Sequence, residues 1–321
     1  MRRSIDPLCI LCQQFWMLTV HNTTVYGIDV APAKGLCCFT AGCFDSCGHK
    51  PERVPNPTAR AFEMIEEIEN TKIVNSINLL CWDAPLTGPP AVYAERTLRS
   101  VRTDKPRVNP FAQRAIERFF STKDYEHKAP PGISVQPYSG CSHWAITRAL
   151  VGLPVTGKFD RSTHELPFTL ITENTEISSL LPGNYIIEVH PAVAIWLWLK
   201  RDSESEDERN SKWKYKGATD TTTRKRNREE IVSKLLEIES ISSLIDCNKI
   251  SKGRIEQELG NSDDKMDAFV AWVLGELWLK GSNEVILLGN ADHGSMLLPK
   301  SDSLLSKWKD FVDRNTIKLG G

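Results

Sequence analysis

Three apolar stretches with strand character each carry an acid at or near their end: "VYGID" ends on Asp29, "LLCWD" on Asp83, and "YIIEVHP" contains Glu188. A carboxylate in an apolar setting is costly unless it is paired, hydrogen-bonded or bound to metal, so the fold has to bring each acid to a partner. The run "INLLCWDAPL" is continuously apolar, which predicts a strand covered on both faces. In a chain that alternates strand-like and helix-like segments, such a strand belongs at the centre of a partly parallel sheet.

The neighbouring segments fit an α/β class. Residues 24–29 read as a buried strand, "GLCCFTAG" as a second, and the Gly/Cys-rich stretch up to Arg53 as a turn with a third, which makes a β-meander. "TARAFEMIEEIEN" places Ala61, Ile65 and Ile68 on one helical face behind a Thr58 cap, and "SHWAITRALVGL" reads as a helix capped by Ser142. Residues 87–140 form a Pro-, Gly- and Arg-rich excursion with one helix near "PFAQRAIERFF". "GNYIIEVHPAVAIWLWL" begins as a strand and continues as a helix, while 200–230 is so charged that it reads as a mobile insertion. A helix over roughly 228–239 follows, then the strongest helix signal, "SDDKMDAFVAWVLGELWLKG", and "EVILLGN" and "SMLLP" as short closing strands. The expected organisation is an extension over 1–22, one domain over 23–300 with insertions at about 87–140 and 200–230, and a tail over 301–321.

Composition bounds the partners. With 321 residues, 40% of them hydrophobic and 25% charged, the chain is expected to be a soluble globular protein with a sizeable core. The 40 basic and 41 acidic residues leave a net charge of −1, so any pull toward nucleic acid has to come from local patches. No membrane segment is expected, because "AFVAWVLGELWL" is short and contains Glu276, and the interrupted start "MRRSIDPLCILCQQFWMLTV" does not read as a signal peptide. Nine irregularly spaced cysteines fit reduced thiols in a cytoplasm. Cys9, Cys12, Cys37, Cys38, Cys43, Cys47 and His49 could also supply four ligands to zinc, although only the first pair has knuckle spacing.

The 263–279 region adds to the acids. At about 100° per residue, Asp264, Asp267, Ala268, Ala271 and Gly275 share one narrow face, and Met266, Phe269, Val270, Val273 and Leu277 cover the other. The small residues would let this helix approach a sheet closely and project its aspartates toward the strand ends. If Asp29, Asp83, Glu188 and this pair converge, they cannot all stay ionised unaided, and either raise one another's pKa values or need a cation. Hard oxygen ligands favour Mg²⁺ or Mn²⁺, and two such ions about 4 Å apart support phosphodiester hydrolysis. Plainer roles stand beside this one: Asp263 suits a helix N-terminus on dipole grounds, Asp83 could cap a turn, and Glu188 could pair with an Arg or Lys. Asp29 has the least comfortable plain role.

The order of these elements resembles the ribonuclease H-like fold. More narrowly, "GIDVAPAKG", "CWDAPL", "YIIEVHPAVA" and "DDKMDAF" resemble the domain-of-unknown-function family numbered 429, predicted nucleases of that fold, over about residues 24–300. The resemblance implies a mixed five-stranded sheet of order 3-2-1-4-5 flanked by helices. It also implies a metal site in which Asp29 bridges, Asp83 ligates, and Asp264 or Asp267 completes the set. Glu188 and His190 are further catalytic candidates on the fifth strand, where the common nucleases of this fold need no acid; His190 could orient a scissile phosphate or water, or be structural beside Pro191. The implied partner is nucleic acid, DNA or RNA. Arg96, Arg99, Arg107, Arg114 and Arg118 are candidate phosphate contacts, as are Lys214, Lys216, Arg224, Lys225, Arg226 and Arg228, with Trp213 and Tyr215 for stacking. A solvated charge run is the plainer reading of the second group.

Three other functions compete. A non-catalytic binding or interaction module on the same fold would keep the acids as remnants. An actin-like ATPase or kinase needs a second phosphate-binding loop, for which Asp292-His293-Gly294 is late and isolated. A hydrolase built on Ser139, Cys141, Ser142 and His143 requires nucleophile and base to be adjacent in sequence, where they normally meet from separate segments.

Overall fold

The computed structural model describes residues 22–31, 35–40, 43–47, 76–86, 114–121, 129–130, 133, 135, 168–200, 213–216, 220–290 and 294–316. Its main sheet contains β1 (Asn22–Ala31), β2 (Gly35–Thr40), β3 (Cys43–Cys47), β4 (Ser76–Asp83), β5 (Thr169–Leu170) and β6 (Gly183–Glu188). Strands β1 to β3 form an antiparallel meander, and β4, β5 and β6 add in parallel, so the class is α/β with a mixed sheet. Six strands replace the expected five, in the order β3-β2-β1-β4-β6-β5. The additional strand is the two-residue β5, which enters at the edge beside β6 and is continued by the hydrogen bond Ile171 N–H to Ile186 O, 2.9 Å.

The helices are α1 (Ala115–Ser121), α2 (Pro191–Leu199), α3 (Thr221–Leu236), α4 (Glu239–Cys247), α5 (Lys252–Asn261), α6 (Asp263–Leu279) and α7 (Asp302–Thr316). A hairpin of β7 (Val285–Asn290) and β8 (Gly294–Pro299) stands apart from the main sheet, joined to it by a parallel bridge between Val189 and Leu297. No helix among the described residues is long and apolar enough to cross a membrane. The helices expected from "TARAFEMIEEIEN" and "SHWAITRALVGL" lie outside the described residues.

Three sequence expectations change. The helix expected at roughly 228–239 begins at Thr221, because the Asp220 carboxylate accepts from Thr222 N–H at 3.0 Å and Thr223 N–H at 2.9 Å and so caps it earlier. Part of the segment read as a mobile insertion is therefore helix, and its residues Trp213 and Tyr215 are fully buried. The expected tail is also structured in part, since α7 packs Trp308 and Phe311 edge-on against Phe119 of α1 at 5.4 and 5.5 Å.

What positions the acids is the seat of α6 on β1 and β4. Helix α6 is buried around nearly its whole girth from Met266 to Trp278. A Cβ on Gly27 would stand 2.0 Å from Ala268 O and 2.4 Å from Trp272 N, so only glycine admits the helix backbone there. A Cβ on Gly275, from the small-residue row of α6, would stand 2.3 Å from Cys81 Sγ and 2.7 Å from Val25 Cγ1. Phe39, opposite Gly27 in the register, meets Phe269 and Trp272 edge-on at 5.4 and 5.1 Å and secures the same seat.

Gly27→Ala is expected to destabilise by about 3 kcal/mol or more, beyond the usual cost of overpacking, because the clash is with backbone. Gly275→Ala, which meets side chains, is expected to cost less. Urea midpoints of the two variants check the ranking, and equal loss would contradict it.

Candidate metal centre

Strand alternation decides which acids can meet. Asp29 and Asp83 are register partners in the parallel β1–β4 pair, so both side chains leave the same face of the sheet. That face also carries Val25 and Gly27 of β1 and Leu79 and Cys81 of β4, the residues that receive α6. Asp267 comes down from the first turns of α6, whose N-cap Ser262 accepts from Lys265 N–H at 3.3 Å. The result is a group in which one carboxylate oxygen from each of Asp29, Asp83 and Asp267 lies within 4.8 Å of the others. It lies at the carboxyl ends of β1 and β4, where α/β sheets place their ligands.

Glu188 is not a member of this group. It pairs with Trp82, one step before Asp83, and therefore leaves the opposite face. There Arg114 binds it at both oxygens, Nη1 to Oε2 at 2.8 Å and Nη2 to Oε1 at 2.6 Å, and Leu86 N–H donates to Oε2 at 2.7 Å. Arg114 is in turn held by Glu117, with Nε donating to Oε1 at 2.9 Å. All three side chains are buried. Burial alone would lower the Arg114 pKa, but Glu117 and Glu188 raise it, so the guanidinium stays charged. Arg114 is thus the buried counter-ion of Glu188, which corrects its expected role as a phosphate contact.

The remaining expected residues divide as follows. Asp264, half-buried in the first turn of α6, is outside the three-carboxylate group. His190, half-buried at the N-terminus of α2, is also outside it, and its carbonyl accepts from Ala194 N–H at 3.0 Å. Arg96, Arg99, Arg107, Ser139, Cys141, Ser142, His143, Asp292 and His293 lie outside the described residues, as do Cys9, Cys12 and His49 of the zinc set. Cys37 and Cys38 are consecutive on β2 and face opposite sides of the sheet, so both cannot turn to one zinc ion. Among the described residues, the three aspartates are the group of His, Cys, Asp or Glu able to hold a metal.

Two members of the site were assigned to other work in the sequence. Tyr215 donates from its hydroxyl to Asp267 Oδ1 at 3.2 Å, and the Lys216 ammonium forms an ion pair with Asp267 Oδ2. Full burial of Trp213 and Tyr215 removes them as a surface stacking platform. The signal that could have found them is the alternation Trp213-Lys214-Tyr215-Lys216, an apolar period of two inside an otherwise charged stretch.

Electrostatics follows from this crowding. Burial, then Asp267, pushes the Asp29 carboxyl well above the usual carboxylate range, with Lys216 opposing. Burial raises Asp83 to about 7, against the lowering effect of Lys216 and of a hydrogen bond shared with Asp29. Asp267 is raised by burial and moderated by Lys216. For Lys216 burial acts to lower the pKa, yet Asp267, Tyr215, Asp29 and Asp83 together raise it well above the ordinary value. Its side chain is 36% exposed, so solvent screens part of this attraction.

The comparisons add a family. Residues 170–291 match the model of the family described as a protein of unknown function, DUF429. That span contains Glu188, His190, Tyr215, Lys216 and Asp267, whereas Asp29 and Asp83 precede it. No curated protein and no solved structure matches the chain.

Two outcomes are expected. Arg114→Met leaves Glu188 as an unpaired buried charge and should cost about 3–5 kcal/mol in urea unfolding, with the triad intact. The second concerns pH. A carboxyl raised to about 7 when folded from an ordinary 3.8 contributes stability that is full below 3.8 and lost as pH climbs through 7. Metal-free wild type should therefore lose stability from pH 5 to 8 in chelator, and Asp83→Asn should lose less; identical slopes would refute the assignment to Asp83.

Proposed function

We propose that this chain, which through residues 170–291 belongs to the DUF429 family, is a metal-dependent phosphodiester hydrolase acting on nucleic acid with a ribonuclease H-like arrangement of its site. The observation that carries the reading is the convergence of Asp29, Asp83 and Asp267 from three separate elements to within 4.8 Å. Three buried or half-buried carboxylates at that spacing repel one another, and a divalent cation relieves the repulsion. An all-oxygen donor set of this kind suits Mg²⁺ or Mn²⁺ rather than zinc.

In this reading Asp29, Asp83 and Asp267 would hold the first ion. Asp264, one turn earlier on α6, is the residue to extend the site toward a second. When bound, the cation supplies positive charge against the negative charge that hydrolysis builds on the phosphate, and it favours deprotonation of the attacking water. Tyr215 fixes the rotamer of Asp267 through its hydrogen bond. The Gly27 seat keeps α6 from drifting off the strands, which is the rigidity a metal site requires. The free thiols of Cys37, Cys38, Cys81 and Cys247 support a reducing compartment such as the cytoplasm.

One observation favours a second reading. The Lys216 ion pair already offsets part of the triad's charge without a metal, as expected of a non-catalytic binding module that retains the acids. Incubation with single- and double-stranded DNA, RNA and hybrid substrates in Mg²⁺ or Mn²⁺ separates the two. Cleavage by wild type that falls about 100-fold or more in both Asp29→Asn and Asp267→Asn supports the hydrolase. Cleavage equal in all three proteins, or absent in all, sinks it.

A further inference from the structure

Both oxygens of Asp267 are already engaged. Tyr215 donates to Oδ1 and the Lys216 ammonium sits on Oδ2, so any cation shared with Asp29 and Asp83 has to compete for an oxygen of this residue. The two incumbents differ in their freedom to leave. Tyr215 is fully buried, and withdrawal of its ring would open a cavity in the core. Lys216 is 36% exposed along its side chain, so its four-carbon stem can swing the ammonium into water with little loss of packing.

We propose that Lys216 is a resident counter-ion of the aspartate triad, displaced from Asp267 when a divalent cation enters and then free to meet the phosphate of an incoming substrate. The inference rests on the metal-dependent reading above and specifies how that site is loaded. In the metal-free protein the ammonium supplies one positive charge where three carboxylates crowd together, and it preserves their arrangement until the cation arrives. A divalent ion would supply two charges and direct coordination by the carboxylates, against which the single ammonium on Asp267 is the weaker partner. After displacement the ammonium remains tethered on the Trp213–Lys216 segment beside the triad. A phosphodiester reaching the three carboxylates has to approach that position, and a lysine there adds a point charge to the phosphate. Lys216 therefore opposes cation entry and favours the anionic substrate, two effects of opposite sign from one side chain.

The test is amine-directed reductive methylation of the intact protein, followed by peptide mass spectrometry, with and without Mn²⁺. Exposed Lys214 serves as the internal reference, and thermal shift on the same samples reports cation binding. Lys216 should label more slowly than Lys214 without metal and several-fold faster with Mn²⁺, and Asp29→Asn should suppress the change. Lys216→Gln should bind Mn²⁺ at least ~10-fold more tightly than wild type, from the loss of a competing charge at contact distance, yet cleave more slowly. Mn²⁺ binding with unchanged Lys216 labelling overturns displacement and leaves the metal-dependent reading in place. Absence of Mn²⁺ binding in wild type and Lys216→Gln alike removes both.

Discussion

The backbone of α6 lies directly on β1 at Gly27, and nearly everything of functional interest depends on that contact. Where a side chain would otherwise hold helix and strand apart, the missing Cβ lets Ala268 O and Trp272 N take its place. Gly275 repeats the device further along the helix against Cys81 and Val25. The proximity carries Asp267 over the ends of β1 and β4, into reach of two aspartates that the parallel register had already set side by side. No single element could assemble this group. It needs the meander to order β1, the parallel addition of β4, and a helix returning from almost two hundred residues later in the chain.

Much of this was legible in the sequence because the signals are local. An apolar run that stops on an aspartate announces an acid at a strand end, and a row of small residues on an otherwise apolar helix announces close packing. Asp29, Asp83 and Asp267 are all visible by these rules. Glu188 obeys the same rule and nevertheless serves another purpose, because its fate turns on register. Pairing with Trp82 rather than Asp83 puts it on the opposite face, with Arg114 and Glu117, and register between distant strands is not written in either strand alone. Asp264 shares a helical face with Asp267 but stands a turn nearer the helix end, outside the group.

Lys216 and Tyr215 show a different limit. Composition over a wide window describes 200–230 as charged and poor in apolar residues, and the average conceals two aromatics that the core takes in completely. Asp220 with its three threonines likewise marked an earlier helix start, a cap signal overshadowed by the charges around it. In both places a few well-placed residues outweighed the character of their surroundings. The chemistry gains from this: a segment that reads as solvent-exposed delivers the one ammonium that contacts the triad among the described residues.

The aspartate cluster is thus held by backbone packing on one side of the sheet, backed by the Arg114–Glu188 network on the other, and balanced by Lys216, which we propose a metal displaces. The most direct measurement is a crystal structure of the protein soaked in Mn²⁺, with diffraction collected for anomalous signal. Exchange of the lysine for a metal predicts an anomalous peak enclosed by Asp29, Asp83 and Asp267, with the Lys216 ammonium withdrawn from Asp267. No peak at that position, with Lys216 still seated on Asp267 in a crystal whose solution counterpart binds Mn²⁺, would contradict it.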